Sequence, residues 1–161
     1  MIVKLRFRCD MKNKKYNRFS LVLMVTHSCN LRCSYCYSGG KIQRSMDSAI
    51  AFKAVDRGVN SIIDGGVFEL SFFGGEPLLE VDLLSDIIKY AERLTRSKGI
   101  ELKIFLTTNG TILNNKVKNL IKHPYLTVSV SCDGSPSVHD LNRYDKKENL
   151  HPHLYMKLLN I

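Results

Sequence analysis

Three cysteines fall within eight residues, in the run Thr26-His27-Ser28-Cys29-Asn30-Leu31-Arg32-Cys33-Ser34-Tyr35-Cys36-Tyr37. Their spacing is C-x₃-C-x₂-C. Three thiolates on one short loop can each bind one corner of a cubane [4Fe–4S] cluster. A structural zinc takes a fourth donor; His27 and Cys132 are available, so zinc stands as the alternative. Clusters that only carry electrons normally have four cysteine ligands. Three would leave one iron open to a substrate or cofactor. The five cysteines are an odd number, and the opening residues MIVKLRFRCD lack the continuous apolar core of a secretory signal. Both facts argue against a disulfide framework and for reduced, metal-binding thiols in a cytoplasmic protein. Cys9 reads as incidental, and Cys132 as a small buried hydrophobe facing outer helices.

Three further segments carry chemistry-bearing residues. Phe72-Phe73-Gly74-Gly75-Glu76-Pro77 places two glycines, which let backbone approach a ligand closely, before a carboxylate that can meet a cation. The same letters also describe an ordinary turn. Thr107-Thr108-Asn109-Gly110-Thr111 contains the Asn-Gly turn signal. Ser131-Cys132-Asp133-Gly134, followed by Val138-His139-Asp140-Leu141-Asn142-Arg143, gives the longer pattern S-x-D-G…H-D-x-x-R. Outside a motif, Arg143 would be a surface cation in a polar loop, and His139 reads as a loop histidine without a catalytic role.

The elements that must position these residues follow from periodicity. Leu21 to Val25 is apolar and partly β-branched, a buried strand. Ser45 is placed to cap a helix, with Asp47 in its first turn. Ala51, Val55, Val59 and Ile62 recur at helical spacing, and Gly65-Gly66 ends that run. Phe68, Leu70 and Phe72 alternate as a strand. Leu84, Ile87, Ile88, Ala91 and Leu94 mark a second helix closed by Gly99. Ile100, Leu102, Ile104 and Leu106 give a third strand, Asn115 to Lys122 a short helix, and Leu126, Val128 and Val130 a fourth strand. Leu154 to Ile161 reads as the start of another helix. The order βαβαβαβ favours a parallel sheet with right-handed crossovers. Strands two to four each show one apolar and one mixed or polar set. That predicts a barrel-like sheet, with Leu70, Val128 and Val130 toward helices and Ser71, Ser129 and Ser131 toward a wet interior. In such folds chemistry sits at the carboxyl ends of the strands, where every motif above falls.

Taken together, the motifs resemble the radical S-adenosylmethionine (SAM) enzymes. The cysteine loop after the first strand, with an aromatic, Tyr35, just before the third cysteine, is the signature that carries the likeness. The resemblance implies an α/β fold, a partial (β/α)₆ TIM-like barrel, here truncated after about four βα units. It implies that Cys29, Cys33 and Cys36 hold a [4Fe–4S] cluster whose fourth iron is chelated by SAM. The reduced cluster then cleaves SAM to methionine and a 5′-deoxyadenosyl radical. Gly74, Gly75 and Glu76 resemble the family's GGE segment, which bonds the SAM amino group. Asn109 resembles a residue near the adenosine, and Ser131 and Arg143 ones that contact ribose and carboxylate. The S-x-D-G…H-D-x-x-R run resembles the subgroup of anaerobic sulfatase maturases and peptide-modifying SPASM proteins. That implies a peptide or protein substrate and a flavodoxin- or ferredoxin-like electron donor. The SPASM extension and the later strands are not in the sequence, so the chain reads as the N-terminal part of a longer enzyme.

Composition sets the remaining bounds. The 161 residues are 24% charged and 44% hydrophobic, which is a globular mix. No apolar run is long enough to span a bilayer. The net charge of +9 is not spread evenly: residues 1–20 hold seven Lys/Arg against one Asp, whereas residues 21–140 hold thirteen against twelve acids. The division expected is a basic N-terminal arm, 1–20, and a radical SAM core part, 21–161. A nearly neutral body lacks the basic face that nucleic-acid binding requires. Three function classes remain in order: a radical SAM enzyme, a small zinc or iron–sulfur module without radical chemistry, and last a nucleic-acid-binding domain.

Overall fold

Four strands lie side by side in chain order: β1 (Tyr16–Thr26), β2 (Ile62–Gly74), β3 (Glu101–Thr108) and β4 (Leu126–Val130), all parallel. Helices α1 (Ser48–Asn60), α2 (Val81–Arg96) and α3 (Asn115–Ile121) make the three crossovers, and α4 (Pro136–Asn142) follows β4. The structure is a computed structural model describing residues 15–38 and 42–145. Cys9, most of the basic arm and the helix expected from Leu154 lie outside the described residues. The α/β barrel-like arrangement expected from the periodicity is what the chain adopts, with four strands of a partial barrel.

The alternation of each strand decides which face packs. Leu23 and Val25, Phe68, Leu70 and Phe72, and Leu102, Ile104 and Leu106 are buried on one face. Against them lie Ala51, Val55 and Val59 of α1, Leu84, Ile87, Ile88 and Ala91 of α2, and Val117 and Leu120 of α3. Burying a large aliphatic or aromatic side chain contributes roughly 1.5–3 kcal/mol, so this layer holds the fold. Val128 packs on its margin. The opposite, inner face stays open: Val22 is 62% exposed and Phe105 37%. Register places Ser71 beside Val22 and Phe105, and Ser129 beside Thr107, on that inner face.

Several boundaries differ from the sequence expectation. β1 starts at Tyr16, so residues 16–20, assigned to the arm, belong to the sheet. There the positive charge is spent on the inner face, where Arg18 pairs with Glu69 at 3.2 Å, while Phe19 packs against the core. Ile62 begins β2 instead of continuing α1, which ends at Asn60. Gly65-Gly66 does not stop a helix; it lies in an irregular stretch of β2, where Tyr16 pairs Ile62 but Arg18 already pairs Val67. Asp47, not Ser45, caps α1, its carboxylate accepting from the Ala49 and Ile50 amides. Ser45 instead pairs with Thr26 in an isolated bridge and hydrogen-bonds Glu80. The chain leaving the cysteine loop is thereby fastened beside the strand that entered it.

Candidate functional site

The strand ends converge on one pocket of about 220 Å³. Its wall includes Cys29, Cys33 and Cys36, Tyr35, Gly74 and Gly75, Asn109, Ser131 and Arg143. Nine of the ten residues singled out in the sequence therefore meet there, from four separate strand ends.

Glycine is needed where the cysteine loop passes the end of β2. Gly74 has φ +141°, and a Cβ on Gly75 would collide with the backbone oxygen of Ser28. This closeness lets the Gly75 N–H donate to Thr26 O and the Glu76 N–H to Ser28 O, both at 2.9 Å. Parallel pairing of β1 and β2 thus runs on into the cysteine loop and fixes where Cys29 begins.

Glu76 is the exception among the expected site residues. It is fully buried and does not line the pocket. Its Oε1 accepts from Leu78 N (2.9 Å) and Thr108 Oγ1 (2.7 Å), and its Oε2 from Asn109 N (2.7 Å). The carboxyl ties the end of β2 to the end of β3. Burial outweighs those three bonds and pushes its pKa up.

Cys29 is buried, and its Sγ accepts from the Leu31 amide (3.4 Å) and Asn109 Nδ2 (3.8 Å). Two N–H donors on one sulfur suit a thiolate, and bonds of this kind tune iron–sulfur clusters. Asn109 Nδ2 also donates to Asn30 Oδ1 (3.0 Å), and Asn30 Nδ2 to Thr111 Oγ1 (2.7 Å). The amide of Asn109 is therefore engaged with the cysteine loop. Cys36 Sγ lies 3.1 Å from Ser38 Oγ.

These residues fit a cubane better than a zinc. The three thiols face one pocket, yet among the described residues no three His, Cys, Asp or Glu side chains are gathered to hold a single ion. Three thiols on one pocket wall match three corners of a cluster. Neither fourth zinc donor lines the pocket: His27 is absent from its wall, and Cys132 is exposed. Cys132 is also not the buried, helix-facing residue expected from alternation, because β4 ends at Val130 and alternation ends with it.

Arg143 is no surface cation. Its side chain is 12% exposed, its Nε donates to Asp133 Oδ1 at 3.0 Å, and its guanidinium sits 5.4 Å from the Tyr35 ring centroid. The Tyr35 hydroxyl donates to both Asp133 oxygens at 2.7 Å. Burial and this bond push the Tyr35 pKa up to about 12, so the phenol keeps its proton. Burial alone would raise the Asp133 pKa, but the Tyr35 and Arg143 bonds and the Arg143 charge hold it below the usual carboxylate range. The stretch read as loop before Arg143 is helix α4, which carries the arginine back over the cysteines.

Sequence reasoning missed Asp133 as a site partner, although it stood inside the quoted S-x-D-G. It also missed Tyr37, which stacks on Phe73 at 5.7 Å and donates to the Gly74 carbonyl at 3.2 Å. Both depend on contacts between distant loops.

Comparison with known proteins fits this arrangement. The family model described as "Radical SAM superfamily" matches residues 23–154. This chain belongs to the radical SAM superfamily. The cofactor pair of that family is a [4Fe–4S] cluster with SAM. Among curated radical SAM relatives, a GTP 3',8-cyclase of Xanthomonas axonopodis pv. citri is 36% identical over 117 residues, covering 70% of this chain and 34% of its own length. An uncharacterized protein of Methanocaldococcus jannaschii is 37% identical over 114 residues, covering 71% of this chain and 38% of its own. The chain thus spans little more than a third of those relatives. In fold it is similar to native anSMEcpe, solved with bound AdoMet and the Cp18Cys peptide. The TM-score is 0.77 at 23% identity, over 89% of this chain and 39% of that one.

Proposed function

We propose that this chain is the cofactor-binding part of a radical SAM enzyme. The observation that carries the reading is the meeting of Cys29, Cys33 and Cys36 with Gly74, Gly75, Ser131 and Arg143 around one pocket. The three cysteines would hold the cluster, and the pair supplies reductive cleavage of SAM to methionine and a 5′-deoxyadenosyl radical. Every other step belongs to the chain's own groups. The backbone of Gly74 and Gly75, too close to the cysteine loop to carry side chains, presents main-chain polar groups to the SAM amino group. Ser131 offers a hydroxyl to the ribose, and the guanidinium of Arg143 offers a cationic fork to the carboxylate. Asn109 acts through Cys29 and the loop.

For the substrate we infer a peptide or protein, supported by the S-x-D-G…H-D-x-x-R run. A second reading, a purine nucleoside triphosphate, is favoured by the identity with GTP 3',8-cyclases. A reducing partner of the flavodoxin or ferredoxin kind would supply the electron. The test is anaerobic reconstitution with iron and sulfide, then dithionite and SAM, with 5′-deoxyadenosine measured. About four irons per chain and a 5′-deoxyadenosine product are expected; one tightly bound zinc and no SAM cleavage would overturn the reading. Equilibrium binding of GTP in one arm and of cysteine-containing peptides in another, to the reconstituted chain with SAM, separates the two substrate classes.

A further inference from the structure

Asp133 does not itself line the pocket, yet it bonds two residues that do. Its carboxylate takes the Tyr35 hydroxyl at 2.7 Å and the Arg143 Nε at 3.0 Å. The two partners come from segments far apart in the chain: Tyr35 sits between Cys33 and Cys36, and Arg143 follows α4. Backbone bonds run alongside this clasp. Arg32 N–H donates to Tyr144 O at 2.8 Å, Ser34 N–H donates to Asn142 O at 2.9 Å, and Leu31 pairs with Asp145 in an antiparallel bridge. The segment 142–145 is therefore laid along the cysteine loop like an extra strand.

From this we infer that Asp133 is a positioning residue with two outputs: it sets which atoms of Arg143 face an anion, and it latches the cysteine loop through the Tyr35 hydroxyl. The first output follows from the choice of Nε. A guanidinium has five N–H donors, and a carboxylate bound at Nε leaves the two terminal amino groups for a second, bidentate acceptor. Both terminal groups lack a hydrogen-bond partner among the described residues. The second output follows from geometry. Phenylalanine at position 35 would keep the ring under Arg143 but lose the link to Asp133. An ordinary aromatic lid needs no hydroxyl, whereas this one uses it. The inference rests on the proposal that the cluster and SAM occupy this pocket.

The test uses the reconstituted chain with Asp133→Asn, Asp133→Glu, Tyr35→Phe and the double variant Asp133→Asn/Tyr35→Phe. SAM affinity is read by equilibrium dialysis, the change of the reduced cluster's electron paramagnetic resonance signal on adding SAM is recorded, and cluster release to a chelator is timed. Asp133→Asn should retain full iron and sulfide while weakening SAM binding about tenfold and shrinking the spectral change. Asp133→Glu should recover part of the affinity. Tyr35→Phe should leave SAM affinity within a few fold but release the cluster faster, and the double variant should release it no faster than Asp133→Asn. Wild-type affinity and spectrum in Asp133→Asn would overturn the first output, and unchanged release in Tyr35→Phe the second. A wild-type chain that fails to load iron and sulfide would instead overturn the cluster reading, and this inference with it.

Discussion

The Glu76 carboxylate and the backbone N–H of Asn109 meet at 2.7 Å, joining the end of β2 to the end of β3 from inside the protein. One oxygen of Glu76 serves this bond and the other serves Leu78 and Thr108. The two loops that flank the pocket are thus fixed by one buried acid beneath it. Glu76→Ala should destabilise the fold by about 3 kcal/mol, because it orphans buried donors, and urea denaturation would measure it.

The same acid should leave a pH signature. Its folded-state pKa is raised, chiefly by burial. A raised carboxyl pKa means the folded state holds the proton more tightly than the unfolded chain. The contribution is therefore fully present below the unfolded value and is lost as pH rises through the folded one. Denaturation midpoints of wild type and Glu76→Gln, followed upward from about pH 4, should show the wild type losing stability relative to the variant. Parallel curves would contradict this.

Cluster loading should follow the pocket and not the cysteine count. Alanine at Cys29, Cys33 or Cys36 is expected to reduce iron and sulfide to a small remnant. Cys132→Ala is expected to match the wild type, since Cys132 is exposed and outside the pocket wall. Iron and sulfide assays on the four variants decide it.

Most of the strands and helices were legible because their apolar residues repeat at two or at three to four positions. Leu70 and Phe72, or Leu84, Ile88 and Ala91, need no tertiary information to be placed toward a core. β1 was misread at its start, since Arg18 and Ser20 look like a solvated arm until Glu69 is brought beside them. The site's residues were legible through motif order at strand ends, but their roles were not. Glu76 reads in the sequence as a carboxylate offered to a cation; that it is buried against Leu78, Thr108 and Asn109 is not legible there, because a carboxylate's partners on other strands cannot be read from its neighbours. Asp133 and Tyr35 are 98 positions apart, beyond the reach of any local pattern.

A methyl group at the close approach should be felt at the site more than in the fold. Gly75→Ala places a Cβ against the Ser28 carbonyl, backbone that cannot swing away as a side chain could. Overpacking of this kind costs typically 1–3 kcal/mol, and relief requires moving the cysteine loop. The expected outcome is a folded protein, by circular dichroism, that loads less iron and binds SAM more weakly than wild type.

The last expectation concerns what the chain does when loaded. The pocket residues are described residues at the ends of the four strands and in the loops that follow them, and these are the partners proposed for cluster and SAM. Among the described residues the inner face around them is open, with Val22, Met24 and Phe105 exposed. A reactive radical requires a closed, water-excluding site, because preventing side reactions is part of the protein's task. Binding and closure are therefore separable in this chain. Reconstituted protein given dithionite and SAM should form 5′-deoxyadenosine slowly, and adding peptides or GTP should neither speed it nor yield a changed mass. In buffer whose carbon-bound hydrogens are deuterated, deuterium should appear in the 5′-deoxyadenosine, since buffer molecules reach the open face. Rapid turnover coupled to a modified substrate would show instead that four strands suffice to shield the site.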